Sequence, residues 1–427
     1  MDKRYLRWLL PVALFSLLAA QFYARPEWRA FVSIDYWQSL LRYGRVLRLV
    51  ESEYVYADQV KFHNLTDIAL RQAVRSLDEY SDYMVAEDYE EFNMAANQEY
   101  VGVGIEISEF SGQVIIAQVF EQGSAHAAGV LPGDFIVGVN EADTREENLS
   151  QVIERIRGEP GTQVILQVER PITNELLSFE LERVAIALDS VTDVELLDTG
   201  VGYLKVRQFI DESDLELIEA IKMLQAQGMQ ALIIDLRGNP GGRLDTAVRM
   251  AEIFMSEDQT VLTVQSRRGV ESVFKARAPE YSYDGYLAVL IDGNSASASE
   301  ILSGALRDHQ RAVLIGEKSF GKGSVQSVFG FNNGDGLKLT SARYLLPKGE
   351  AINGKGVYPD LPIQMANETA IIFMLQKHHL RTMTDAEFTA TFGFEPVRDE
   401  VRLVANELLA AKLVTPVSMT HVLDAPR

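Results

Sequence analysis

The chain contains no cysteine, which removes disulfides, a thiolate nucleophile and cysteine-ligated zinc from the chemistry open to it. Histidine is scarce: His63, His126, His309, His378, His379 and His421 are dispersed, and nothing shaped like a metal-ligand cluster joins them. Positive charge is in deficit, 40 Lys+Arg against 61 Asp+Glu for a formal net charge of -21, so a general polyanion-binding surface is disfavoured and nucleic acid is not an expected partner. What is present is a globular share of hydrophobic residues, 47%, in 427 residues. That is about three times a rough 150-residue domain, so the chain is expected to be multidomain with at least one large core.

Lys3, Arg4 and Arg7 precede an apolar run from Trp8 to Tyr23, the positive and hydrophobic regions of an export signal. The run is slightly shorter than the roughly 20 residues of a comfortable span, yet no small-x-small cleavage site precedes Arg25, which favours an uncleaved anchor. Residues 1–24 are therefore expected to be a signal peptide or membrane anchor. In a Gram-negative host the bulk of the chain would face the periplasm, tethered to the inner membrane or released from it.

Residues 25–96 carry spaced apolar positions such as Leu65, Ile68, Ala69, Val74 and Leu77, a helix-rich pattern with one amphipathic face. It fits a packing or oligomerisation arm and an internal part of the fold equally well. From Tyr100 the pattern shifts to short β-like runs: Val101–Ile107, Val114–Val119, Phe135–Val139 and Val164–Val168, with the turn-rich Gly129-Val-Leu-Pro-Gly-Asp134 between them. The combination of Gly102-Val-Gly-Ile105, Gly123-Ser-Ala-His-Ala-Ala-Gly129 and Leu131-Pro-Gly-Asp134 followed by Phe135-Ile-Val-Gly-Val-Asn140 resembles a PDZ domain, assigned to residues 97–170. The resemblance implies a receptor for an extended carboxyl-terminal peptide, with Gly102, Val103, Gly104 and Ile105 as the loop that meets the terminal carboxylate. Outside that larger pattern, the two glycines would be read as turn and strand geometry alone.

Strand and helix patterns then alternate: Gly202–Ile210, Asp214–Gln227, Ala231–Asp235, Thr246–Phe254, Leu287–Ile291, a helix-like stretch through Arg307, and Ala312–Ile315. This predicts a mixed α/β core over residues 171–362 with functional loops at strand-to-helix transitions. A helix-rich region follows over 363–427, with apolar groups in Ala370–Leu375 and Val404–Leu413.

Ser295, Ser297 and Ser299 alternate with alanines between a strand and a helix. Any of them could be a helix cap, and the pattern does not choose among them. An isolated serine hydroxyl is a poor nucleophile and needs a base. Lys322, in Gly316-Glu-Lys-Ser-Phe-Gly-Lys-Gly-Ser324, could serve if its amine is held neutral; alone it would be read as a solvated lysine. The same loop nearly matches a phosphate-binding P-loop, but Gly323 stands where serine or threonine is required and Val325–Phe329 reads as strand, so ATPase chemistry is rejected.

These blocks, with Asp235-Leu-Arg-Gly-Asn-Pro-Gly-Gly242, Ser295-Ala-Ser-Ala-Ser-Glu-Ile301, Leu337-Lys-Leu-Thr340 and Gly356-Val-Tyr-Pro-Asp360, resemble the carboxyl-terminal processing proteases, peptidase family S41, over about residues 60–362. The resemblance implies a mixed α/β serine protease core with a β-rich PDZ domain and helical terminal regions. It places the nucleophile at Ser297, the general base at Lys322 and its supporting residue at Gln326. The backbone donors to the oxyanion would be Ala298, next to the nucleophile, and Gly242. Asp235 and Arg237 would hold the glycine turn. No cofactor or metal is implied. The expected partners are protein substrates with accessible carboxyl-terminal tails, with a homo-oligomer, an adaptor protein and the membrane, through an uncleaved N-terminus, as further expectations. A membrane-tethered PDZ scaffold without catalysis is the alternative, and it leaves the serine, lysine and glycine-rich blocks unexplained.

Overall fold

A computed structural model describes residues 33–414 apart from residues 57, 59, 97–99, 187–188, 365–368 and 381. The expected export signal at residues 1–24 lies outside the described residues. No helix among them is long and apolar enough to cross a membrane.

The chain divides into two compact units. In the first, helix Ile34–Glu53 starts at Ser33, whose hydroxyl accepts the Tyr36 amide, and helix Phe62–Arg75 follows. A strand not anticipated from the sequence, Asp82–Met84, pairs antiparallel with residues 336–338. It is only three residues long, too short for an alternation to be visible.

The second unit holds the PDZ-like module, the α/β core and the C-terminal helices. The core sheet runs Val191–Leu196, Val201–Val206, Ala231–Asp235, Tyr286–Ile291, Val313–Gly316, Leu361–Pro362. The first pair is antiparallel and the others are parallel. Ala231-Leu-Ile-Ile-Asp235 is a continuous apolar run because both faces of the strand are covered. Leu232 and Ile234 join a core with helices Ser213–Ala226, Leu244–Glu252 and Ala298–Asp308. Ala231 and Ile233 meet helix Glu400–Val414 on the opposite face, through Val401, Ala405 and Leu409. Their i, i+4, i+8 spacing makes one helix stripe, and burying the Val and Leu side chains contributes about 1.5–3 kcal/mol each.

The PDZ-like sheet is ordered Ile105–Phe110, Gln113–Val119, Phe135–Val139, Gln163–Arg170, Glu175–Glu182. It continues past residue 170, where the sequence placed its limit. Gln163–Arg170 turns at Asn174, φ +52°, into Glu175–Glu182, which pairs with it along its whole length. That last strand is largely exposed and carries Glu175, Glu180 and Glu182, so its alternation resembles a charged linker. The outer face of the sheet is fastened to the C-terminal helices: Phe110 and Ile115 share an apolar cluster with Ile371, Ile372, Leu375 and Phe388.

Candidate active site

Ala231–Asp235, Tyr286–Ile291 and Val313–Gly316 are adjacent and parallel, so the loops leaving their carboxyl ends emerge side by side, where ligands of open α/β sheets bind. Residues 236–243, 292–297 and 317–323 occupy those loops. The Ala296 amide donates to the Asn239 oxygen at 3.0 Å, the Gly238 amide to Asp292 Oδ1 at 2.9 Å, and the Phe320 amide to the Ser295 oxygen at 3.0 Å. These bonds stitch the three loops together.

The fold sorts the three serines. Ser295 is fully buried and its hydroxyl donates to the Leu236 oxygen at 2.8 Å; Ser299 is fully buried and its hydroxyl donates to the Asn239 oxygen at 3.0 Å. Both tie the helix start to the loop carrying the glycine turn. Ser297 is half-buried and sits at φ +55°, ψ −111°, immediately before helix Ala298–Asp308. A non-glycine residue at positive φ is uncommon and requires surroundings that over-determine it.

Those surroundings converge on Glu300, which the sequence left without a role. Its carboxylate is fully buried and accepts four hydrogen bonds. One oxygen takes the Ser319 hydroxyl at 2.6 Å and the Gly321 amide at 2.7 Å; the other takes the Ser297 and Lys322 amides, both at 2.8 Å. A single oxygen thus fixes the backbones of the two residues singled out as nucleophile and base. The Ser-x-x-Glu spacing of a capping box was visible in the sequence, but the distant loop it grips was not.

Ala298 stands first in its helix, and its amide has no hydrogen bond among the described residues. In the facing turn, the Gly241 amide is taken by Asn239 Oδ1 at 2.8 Å, whereas the exposed Gly242 amide has no partner among the described residues. A Cβ on Gly241 would lie 2.6 Å from the Ala296 oxygen and 2.9 Å from the Ala298 nitrogen, with φ at +101°. Only glycine lets the turn lie this close to the serine. Asn239, fully buried, anchors the turn further by donating its Nδ2 to the Val206 oxygen at 2.8 Å.

Lys322 is half-buried, and Gly316–Gly323 leads into strand Ser324–Gly330 rather than into a helix, unlike a P-loop. Gln326, on that strand, donates its side-chain amide to Ser324 Oγ at 2.9 Å and Thr340 Oγ1 at 3.4 Å. Asp235 is buried before the glycine turn, where Arg237 grips it through Nε and Nη2 and the Tyr203 hydroxyl donates to it at 2.8 Å. Burial opposes ionisation of Asp235, but the Arg237 guanidinium and its hydrogen bonds outweigh it and hold the carboxyl below the usual carboxylate range.

In the PDZ-like module, Gly102 ends strand Tyr100–Gly102, paired with Val184–Ile186. The Val103 and Gly104 oxygens accept the Ala125 and Phe120 amides, each at 2.9 Å. Gly104, at φ +84°, packs so closely on Gly123 that an added Cβ would approach its Cα to 2.4 Å. Ile105 opens strand Ile105–Phe110, an edge strand whose outer side has no strand partner among the described residues. Helix Leu149–Ile156, capped by Asn148 and Gln151, packs Val152 and Ile156 into the module's core.

Residues 200–363 match the model of peptidase family S41, and residues 115–170 match a PDZ domain model. The "Probable CtpA-like serine protease" of Staphylococcus saprophyticus is 32% identical over 341 residues, 79% of this chain and 68% of its own length. The chain belongs to the S41 family of serine peptidases. A carboxy-terminal-processing protease of Bartonella bacilliformis is 32% identical over 77% of this chain and 76% of its own length. Among solved structures, the photosystem II D1 C-terminal processing protease superposes with a TM-score of 0.51 at 25% identity, covering 76% of this chain and 92% of that one. The S41 peptidase described here is thus a serine-type endopeptidase with a PDZ domain, built as a mixed α/β core with helical terminal regions.

Proposed function

We propose that this S41 peptidase cleaves proteins of the bacterial cell envelope through a Ser297–Lys322 dyad, taking substrates by their carboxyl-terminal tails. The observation that carries the proposal is the Glu300 oxygen shared by the Ser297 and Lys322 amides. In the mechanism, the unprotonated Lys322 amine takes the hydroxyl proton as Ser297 Oγ attacks the scissile carbonyl. The Ala298 and Gly242 amides donate to the resulting oxyanion. Lys322 returns the proton to the leaving amine, and water, deprotonated by the same lysine, hydrolyses the acyl-enzyme. Gln326, on the strand that the lysine loop enters, supports the Lys322 base.

A tail adding to the free edge of Ile105–Phe110 would present its carboxylate to the loop at Gly102, Val103, Gly104 and Ile105. Coupling to the core is supported by Arg207. Its guanidinium pairs with Glu106 on that edge strand at 2.6 Å, donates to Gln118 at 2.9 Å and lies 4.7 Å from the Phe120 ring centroid. Two residues on, Phe209 exchanges backbone hydrogen bonds with Gly241 and Arg243 of the glycine turn. Occupation of the edge strand would thereby bear on the oxyanion donors. The proposal extends to self-association through the terminal helices, supported by exposed Ile34, Leu41 and Leu49, to substrate delivery by an adaptor, and to a periplasmic location held by the N-terminus.

The test is cleavage of an unfolded protein with an apolar tail, followed by intact mass, for wild type, Ser297→Ala and Lys322→Ala. Both substitutions should lower the rate by roughly 10⁴-fold or more. Cleavage retained by Ser297→Ala would refute the assignment. Tail binding with no cleavage by any form, with or without added tail peptide, would favour a binding scaffold.

A further inference from the structure

Arg237 has a second partner beyond the site. Its Nη1 and Nη2 donate to Asp399 Oδ1 at 2.9 Å and Oδ2 at 2.7 Å, a two-pronged pair, while its Nε edge holds Asp235. The three side chains are largely shielded: 2% exposed for Asp235, 11% for Arg237 and 21% for Asp399. Asp399 stands directly before helix Glu400–Val414. Its backbone oxygen accepts the Leu403 amide at 2.9 Å and its Oδ1 the Arg402 amide at 3.0 Å, so it also caps that helix. The helix is itself clamped to the core sheet, with the Arg402 guanidinium 4.1 Å from the Tyr203 ring centroid.

We propose that Asp399 is a positioning residue for the oxyanion turn, acting through Arg237, so that the C-terminal helix is part of the catalytic apparatus. The path is short. Arg237 is fixed from both sides, and Gly238 and Asn239 follow it. Asn239 receives the Ala296 amide and the Ser299 hydroxyl on its oxygen, and the Gly241 amide on its side chain. The direction in which the Gly242 amide points is set by that turn. A bidentate carboxylate gives the guanidinium one orientation. This inference rests on the serine–lysine mechanism.

A cap alone would account for Asp399 without any catalytic consequence, and substitution can separate the two roles. Asp399→Asn keeps a capping oxygen and the shape but removes the charge. Asp399→Ser keeps a cap but does not reach the guanidinium. In the full chain, with an internally quenched peptide bearing an apolar carboxyl-terminal tail as probe, both should lose about tenfold in kcat, with KM within twofold of wild type. Asp399→Glu should recover part of the loss. The double variant Asp399→Asn with Arg237→Gln should lose little more than Arg237→Gln alone. Hydrogen exchange at the Gly241 amide should accelerate in Asp399→Asn, a readout independent of turnover. Wild-type kcat and wild-type Gly241 protection in Asp399→Asn would overturn the inference, as would full additivity in the double variant. If Ser297→Ala still cleaves, the dyad has failed; if Ser297→Ala is inactive while Asp399→Asn matches wild type, only the positioning role has.

Discussion

Replacing Glu300 with glutamine tests the hub of the site. Glutamine has the same shape, but one carboxylate oxygen becomes an amide NH2. It can keep its oxygen toward the Ser297 and Lys322 amides and turn its NH2 toward Ser319 and Gly321. The Ser319 hydroxyl, which also accepts the Val357 amide at 2.6 Å, can then accept from the new NH2, but the Gly321 amide loses its acceptor. One hydrogen bond to a charged group, about 1.5–3 kcal/mol, is lost outright, another is reversed, and the two retained bonds become neutral ones. Relief of the desolvation penalty of the buried charge offsets part of these losses and leaves about 2–4 kcal/mol. If that acts mainly on the placement of serine and lysine, kcat should fall roughly 30- to 1,000-fold with KM changed little. The assay is steady-state cleavage of a quenched tail-bearing peptide, with the acylation rate by a fluorophosphonate and the thermal midpoint measured on the same preparations. Glu300→Ala, which leaves all four donors without a partner, should be worse in every readout. A Glu300→Gln enzyme with wild-type kcat and acylation rate would refute the hub.

Two further predictions concern the receptor module. Arg207→Ala should leave tail-peptide affinity within about threefold of wild type while removing stimulation of cleavage by an added tail peptide; stimulation unchanged would reject the Arg207 link. His379, 3% exposed and bonded through Nε2 to the Pro132 oxygen at 2.7 Å, is held below its ordinary pKa of 6.5 mainly by burial, with the Arg170 charge adding to it. The Pro132 oxygen and the Asp134 carboxylate oppose the shift. The unfolded chain therefore binds the proton first, and the stability that neutral His379 contributes is present above pH 6.5 and lost as the pH falls through its depressed folded value. The thermal midpoint should fall more steeply between pH 7 and pH 5 in wild type than in His379→Gln; parallel curves would contradict this.

The core was legible where burial leaves a periodic or continuous apolar signature. Ala231–Asp235 and Leu287–Ile291 announce themselves because they are covered on both faces, and the glycine-rich blocks because the backbone approaches so closely. The Ser295, Ser297 and Ser299 choice was open to pattern because all three sit at a strand-to-helix turn. It is resolved by carbonyls some 60 residues earlier, at Leu236 and Asn239. The same holds for Glu300 and Asp399, whose roles depend on partners far along the chain. The last strand of the PDZ-like sheet, Glu175–Glu182, was not legible because it is exposed, and its pairing rather than its composition makes it part of the sheet.

If tails are taken on the free side of Ile105–Phe110 as proposed, that edge sets a condition on prey that no side-chain preference would. A guest that lines six residues must surrender about 20 Å of chain in extended form, and main-chain pairing cares little which amino acids supply it. Selection therefore falls on how readily a protein's end comes loose: each 1.4 kcal/mol by which a tail is held in its own fold makes its capture tenfold rarer. On this reading an intact protein with a well-anchored terminus would escape whatever its sequence, and damage that frays the end would convert it into a target.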